Sequence, residues 1–147
     1  MIYNELLESF RKSGSVLSTV DGELQYTDTG TIPEHCVQLA SEYENRLVRI
    51  LNGEDLTQQW KRDKIFNQIM YFYRNVSDPS NDRIEEWMNK DQEAAKLFMQ
   101  LTTEYESCGW QNIEEAPFNF ENEKARELTE QLYQNAVSYF KKESVAS

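Results

Sequence analysis

The chain has 147 residues, with 26 Asp and Glu against 15 Lys and Arg and a formal net charge of −11. Such a surface repels phosphate backbones and anionic headgroups, which argues against direct nucleic-acid binding through counterion release and against docking on acidic lipid. With 39% hydrophobic and 12% aromatic residues, the chain can build a core, and its length suits one ordinary domain or two very small ones.

Ile2, Leu6, Leu7 and Phe10 predict a helix over 2–12, stopped by Ser13-Gly14. Val16, Ser18 and Val20 then alternate up to Asp21-Gly22, and Leu24 and Tyr26 alternate with Gln25 and Thr27 after it. Asp-Gly takes the positive φ angles of a type I′ turn, so residues 15–29 predict a β-hairpin. A two-stranded hairpin is marginal alone and must lean on the flanking helices. Thr31-Ile32-Pro33-Glu34 has the form of a capping box with proline in the first helical turn. Cys36, Leu39, Ala40, Tyr43, Leu47, Ile50 and Leu51 follow on one face of a single helix ended by Asn52-Gly53. Asp55 with Gln58 opens the next, carrying Leu56, Trp60, Ile65, Phe66, Ile69, Met70, Tyr73 and Val76 to a stop at Asp78-Pro79-Ser80-Asn81. Asp82 with Glu85 starts one long helix that bears Ile84, Trp87, Met88, Ala95, Phe98, Leu101 and Tyr105 and ends at Cys108-Gly109. After a loop from Trp110 to Pro117, the last helix runs from Asn119 or Asn122 to Lys142, with Ala125, Leu128, Leu132, Ala136, Val137 and Phe140 facing inward and a frayed tail from Ser144. The expected fold class is mostly α with one N-terminal β-hairpin: an α-β-β-α start over 1–53, then three helices over 54–147 packed on it or forming a second small lobe.

The order helix, hairpin, helix over residues 2–53 resembles a known family. Glu5-Leu6-Leu7-Glu8-Ser9-Phe10-Arg11-Lys12-Ser13-Gly14 is similar to the first helix of the tubulysin-type N-terminal docking domains of nonribosomal peptide synthetases. Asp21-Gly22-Glu23-Leu24-Gln25-Tyr26 resembles their second strand, and Gly30-Thr31-Ile32-Pro33-Glu34 their Gly-x-Leu-Thr-Pro-Glu lead into the next helix. The resemblance covers about the first third of the chain. It implies a small α/β module, often self-associating, that receives a partner's peptide tail along its hairpin by strand addition. The family's outward positions on that strand are frequently basic, whereas here they are Glu23, Gln25 and Thr27. A neutral or basic tail is therefore the implied ligand. The helices beyond residue 53 are not those of a synthetase module, so a role in peptide synthesis is not implied. Leu24 and Tyr26 are expected to face inward and Glu23, Gln25 and Thr27 outward.

The second candidate surface is the acidic run. No Lys or Arg occurs between Lys96 and Lys124, while Glu104, Glu106, Glu114, Glu115, Glu121 and Glu123 fall there with Trp110, Phe118 and Phe120 interleaved. Aromatics can anchor a partner and carboxylates can steer it, which makes Glu104, Glu106, Trp110, Glu114 and Glu115 candidate contacts. The plainer alternative is a solvated loop whose aromatics pack on the core. The same run could block a basic surface, as an inhibitor or immunity-type antagonist or a mimic of a phosphate backbone.

Other constellations lack parts. Glu85-Glu86, Glu123/Glu127 and Glu127/Glu130 find no matching acidic set on a facing helix, so no metal is expected. His35 and Cys36 are adjacent on a helix and point about 100° apart, which separates a thiol from its base. Lys61, Arg62 and Lys64 near Trp60 and Tyr71 form the densest basic spot, read as a core face whose cations pair with nearby acids. No GxSxG, phosphate loop, GxGxxG or HExxH is present. Two distant cysteines, Cys36 and Cys108, make no disulfide framework. Met1-Ile2-Tyr3-Asn4-Glu5 is not a basic stretch before an apolar one, and Ile69-Met70-Tyr71-Phe72-Tyr73 is far short of the roughly 20 residues of a membrane span. The expectation is a cytoplasmic, non-catalytic protein without cofactor or metal that docks a protein partner and not nucleic acid or membrane. A homodimer or a helical subunit of a larger assembly is a further expected form.

Overall fold

The computed structural model describes residues 2–27 and 29–146, with side chains as far as Lys141. Among the described residues the elements are α1 (Ile2–Lys12), β1 (Ser18–Val20), β2 (Glu23–Gln25), α2 (Glu34–Glu42), α3 (Glu44–Leu51), α4 (Thr57–Tyr73), α5 (Asn81–Lys90), α6 (Gln92–Ser107), a 3-10 turn (Phe118–Phe120) and α7 (Glu123–Ala146). The fold is mostly α with a single antiparallel hairpin near the N-terminus, as the pattern predicts. Packing divides the chain into two units: residues 1–60 with 112–119, and residues 61–111 with 120–147.

The first unit is built on aromatic rings. Tyr3, Leu6 and Phe10 of α1 are buried with Cys36, Ala40, Tyr43, Leu47, Leu56 and Phe118. The Tyr3 ring lies 5.4 Å from both Tyr43 and Trp60, and Tyr43 lies 5.7 Å from Phe118. Each such side chain contributes about 1.5–3 kcal/mol by leaving water. Arg46 is buried beside them, its guanidinium 4.9 Å from the Phe118 centroid and donating to Asn45 Oδ1 at 2.7 Å. In the second unit, α6 and α7 run antiparallel: Asn122 near the start of α7 donates to Glu104 near the end of α6. Leu97, Phe98, Leu101 and Tyr105 are buried with Ala125, Leu128, Leu132 and Ala136, and Trp87 of α5 lies 5.5 Å from Phe140.

Two helices predicted as continuous are broken. The run from Glu34 to Leu51 divides at Tyr43 (φ −107°, ψ 22°). Asn119 bridges the break: its Nδ2 donates to the Ser41 carbonyl at 2.7 Å and its Oδ1 accepts from the Asn45 amide at 2.9 Å. One distant side chain thus pairs one carbonyl and one amide at the break, where helix ends leave such groups orphaned. The run from Asn81 to Ser107 divides at Asp91, whose extended backbone lets its carboxylate accept from the Ala94 amide at 3.1 Å. This is an N-cap inside the expected helix.

Smaller differences have equally local causes. The Thr31 capping box does not form, because the Thr31 hydroxyl donates to the Ser13 carbonyl at 2.9 Å and Pro33 takes the N-cap position without a side-chain bond. α4 ends before Val76, since Asn75 adopts a left-handed φ of 58° and the Val76 amide returns to the Tyr71 carbonyl. Tyr73 and Val76 therefore lie exposed instead of in the core, and so does Val137 on α7. Tyr3, in contrast, is fully buried although it lies off the expected apolar stripe of α1.

Asp91→Ala should remove the α6 cap and cost about 1 kcal/mol, read as a lower urea midpoint at unchanged slope. An unchanged midpoint would show that the helix break does not depend on this carboxylate.

Candidate functional site

The hairpin turns on Asp21 (φ 53°) and Gly22 (φ 80°), the two positive angles of a type I′ turn. Its register pairs Val20 with Glu23, Thr19 with Leu24 and Ser18 with Gln25. In a two-residue hairpin the pair next to the turn exchanges hydrogen bonds and the following pair does not, so the Thr19 and Leu24 main-chain groups point out of the ladder. The Leu24 amide indeed donates to Glu44 Oε1 of α3 at 3.0 Å. Thr19 Oγ1 lies 3.4 Å from Asn52 Oδ1 just past the end of α3.

These contacts fix which face is which. Leu24 and Thr19 are half-buried towards α3, and Tyr26 packs edge-on to Phe10 at 4.9 Å. Glu23, Gln25 and Thr27 are exposed, as the alternation predicts. Thr27 lies beyond β2, where its carbonyl accepts from Ser15 Oγ at 2.8 Å. On the neighbouring strand Val20 opposes Glu23, and Val16, which precedes β1, is exposed as well; the two stand 54% and 77% exposed. Next to Val16 is a shallow cavity of about 180 Å³ lined also by Leu7, Arg11, Ser15 and Leu17. Sequence reasoning missed Val16 and Val20 as surface residues and Glu44 as the group that closes the β2 edge. The first two were legible, because cross-strand pairs share a face and Val20 opposes Glu23.

The acidic run does not form one patch within either unit. Glu104 and Glu106 lie on α6 in the second unit, Glu104 half-buried and accepting from Asn122 Nδ2 at 2.7 Å, Glu106 exposed. Glu114 and Glu115 belong to the first unit, Glu114 exposed and Glu115 half-buried. Trp110 is 3% exposed, its ring 6.0 Å from Tyr105 and 6.5 Å from Phe66. Phe118 is also buried. These two aromatics fill cores and offer a partner nothing.

His35 Nε2 reaches Cys36 Sγ at 3.5 Å, although the two residues are adjacent on α2. The long imidazole folds back across the angle that separates the two Cα–Cβ bonds. Cys36 is nonetheless buried, and among the described residues no third group is shown orienting the ring. Arg62 donates to Glu130 and sits 5.0 Å over the Tyr133 ring, while Lys90 pairs with Glu86 at 2.6 Å. Among the described residues no three His, Cys, Asp or Glu side chains are grouped to hold a metal ion, and no helix is long and apolar enough to cross a membrane.

Burial raises the Glu42 carboxyl above the usual carboxylate range and the nearby Glu115 charge adds to this, against a hydrogen bond from the Ala116 amide. A raised folded-state value means that the folded chain holds a proton the unfolded chain releases. That contribution is complete below the ordinary carboxylate pKa and is lost as pH rises through the raised one. Glu42→Gln should therefore raise Tm by about 1–2 °C at pH 7, the gain vanishing as pH falls through the carboxylate range. An equal gain at all pH values would rule out the charge as its cause. Glu44→Ala should cost about 1 kcal/mol and speed hydrogen exchange at the Leu24 amide. Glu44→Gln, which keeps an acceptor, should recover most of the protection.

No family model, curated protein or solved structure matches this chain.

Proposed function

We propose that this chain is a non-catalytic protein-docking module that receives an extended, neutral or basic partner segment on the outward face of its hairpin. The observation that carries the reading is the outward row itself. Val16 and Val20 stand in water beside Glu23, Gln25 and Thr27, on the face turned away from α3. A partner would gain about 25 cal/mol for each Å² of this apolar surface it covers. The cavity beside Val16 would take one of its side chains, and Glu23 would favour a cation opposite.

The resemblance of residues 2–53 to peptide-receiving docking domains supports the same surface. The mechanism differs in one respect from plain strand addition to β2. Glu44 already takes the Leu24 amide, so selectivity rests on outward side chains more than on main-chain pairing along that strand. Both cysteines are free, which suits a reducing compartment such as the cytoplasm.

The reading is tested by affinity capture with the tagged chain, comparing the wild type with the double substitution Val16→Lys and Val20→Lys. Both positions are exposed, so circular dichroism and Tm should stay unchanged. Capture should fall at least about tenfold, the equivalent of 1.4 kcal/mol. Capture that survives this change, and is lost instead on neutralising Glu104, Glu106, Glu114 and Glu115 together, would replace hairpin docking by an acidic antagonist.

A further inference from the structure

The second unit carries an open groove of about 720 Å³ that its own helices leave unfilled. Its apolar lining is Met88 of α5, Ala95 and Met99 of α6, and Leu128 of α7. Its α6 wall runs from Gln92 to Glu104 in steps of four through Lys96 and Gln100, with Ala95, Met99 and Thr103 in the row beside them. That is one complete helix face about 18 Å long at 1.5 Å per residue, the face a further helix would need. Met99 at its centre is 68% exposed, and methionine adapts its shape to whatever packs on it.

The charges on the rim select the occupant. Lys96 and Lys124 line the groove, one on each wall, and among the described residues neither has an ion-pair partner. They are also the two cations that bound the acidic run, so basic side chains stand here in a chain of net charge −11. The one groove carboxylate, Glu104, is already engaged by Asn122. The geometry points to this groove as a docking site for an amphipathic helix of a partner protein whose apolar face is flanked by carboxylates. Burial of the exposed Met99 side chain, against the edges that Met88 and Leu128 still show, supplies the affinity. Lys96 and Lys124 set polarity and register by meeting those carboxylates. A second copy of the chain fits less well, since its −11 would meet the same charge.

The site is independent of the hairpin, and the test keeps the two apart. The probes are two synthetic helical peptides of about 18 residues, long enough to span the wall, each with a leucine face, one flanked by Glu and the other by Lys. Fluorescence anisotropy on the full chain should show the Glu-flanked peptide binding about tenfold tighter. Lys96→Glu with Lys124→Glu should invert that preference, and Met99→Glu should abolish binding of both while Met99→Leu retains it. Val20→Lys should leave binding as in the wild type. Failure of the Glu-flanked peptide to bind, equal affinity for both, or indifference of its binding to Met99→Glu would overturn the proposal. So would loss of binding in Val20→Lys, which would put the peptide on the hairpin, or binding of laurate alone, which would make the groove a site for small anionic amphiphiles.

Discussion

A ladder of three residue pairs cannot hold itself together in water, and the hairpin here leans on α3 and α1, with one main-chain hydrogen bond to α3 beside the Thr19 and Tyr26 contacts. The Leu24 amide points out of the ladder and meets Glu44. Glu44 can reach it only because α3 is a separate helix from α2. The separation in turn is bridged by Asn119, which donates to the Ser41 carbonyl of one helix and accepts from the Asn45 amide of the next. Phe118, the neighbour of Asn119, packs on Tyr43 at the break and carries the buried Arg46 guanidinium over its ring. The segment 112–119 is therefore not a passive loop. It joins the first unit across residues 61–111 of the second and secures the helix that closes the β2 edge.

This dependence explains what was legible beforehand. Asp21-Gly22 determines a two-residue turn, the turn determines the register, and the register determines that Leu24 faces in while Glu23 and Gln25 face out. That chain of inference is local and the structure agrees with it. The break at Tyr43 had no local signal, because the bonds that make it come from Asn119. The break at Asp91 did have one: Asp with a free amide three residues on is a cap wherever it occurs. It was hidden by an apolar periodicity that continues across it from Ile84 to Tyr105. The contact between His35 and Cys36 shows another limit, since the angle between Cβ directions says little about where a long ring ends.

The acidic run is divided for a related reason. Its carboxylates and aromatics are consecutive in sequence, but the chain passes between two packing units within it, and each unit takes what it needs. Trp110 goes to one core and Phe118 to the other. Adjacency in sequence therefore did not place these groups within one packing unit.

The same distinction applies to the charge. Many of the carboxylates behind the value of −11 already have structural work. Asp55 and Asp78 bind the amides of Thr57 and Ser80, Asp91 caps α6, and Glu44 closes the hairpin. Glu8, Glu54, Glu86, Glu121 and Glu130 each face an arginine or lysine. A partner approaching from a distance feels the sum, which steers it. A partner in contact meets only the groups still unengaged at the place it touches. On the outward hairpin face that group is Glu23, and at the groove it is the pair Lys96 and Lys124, opposite in sign. One acidic chain can therefore offer two surfaces of different preference, because internal bonds have used the acids unevenly.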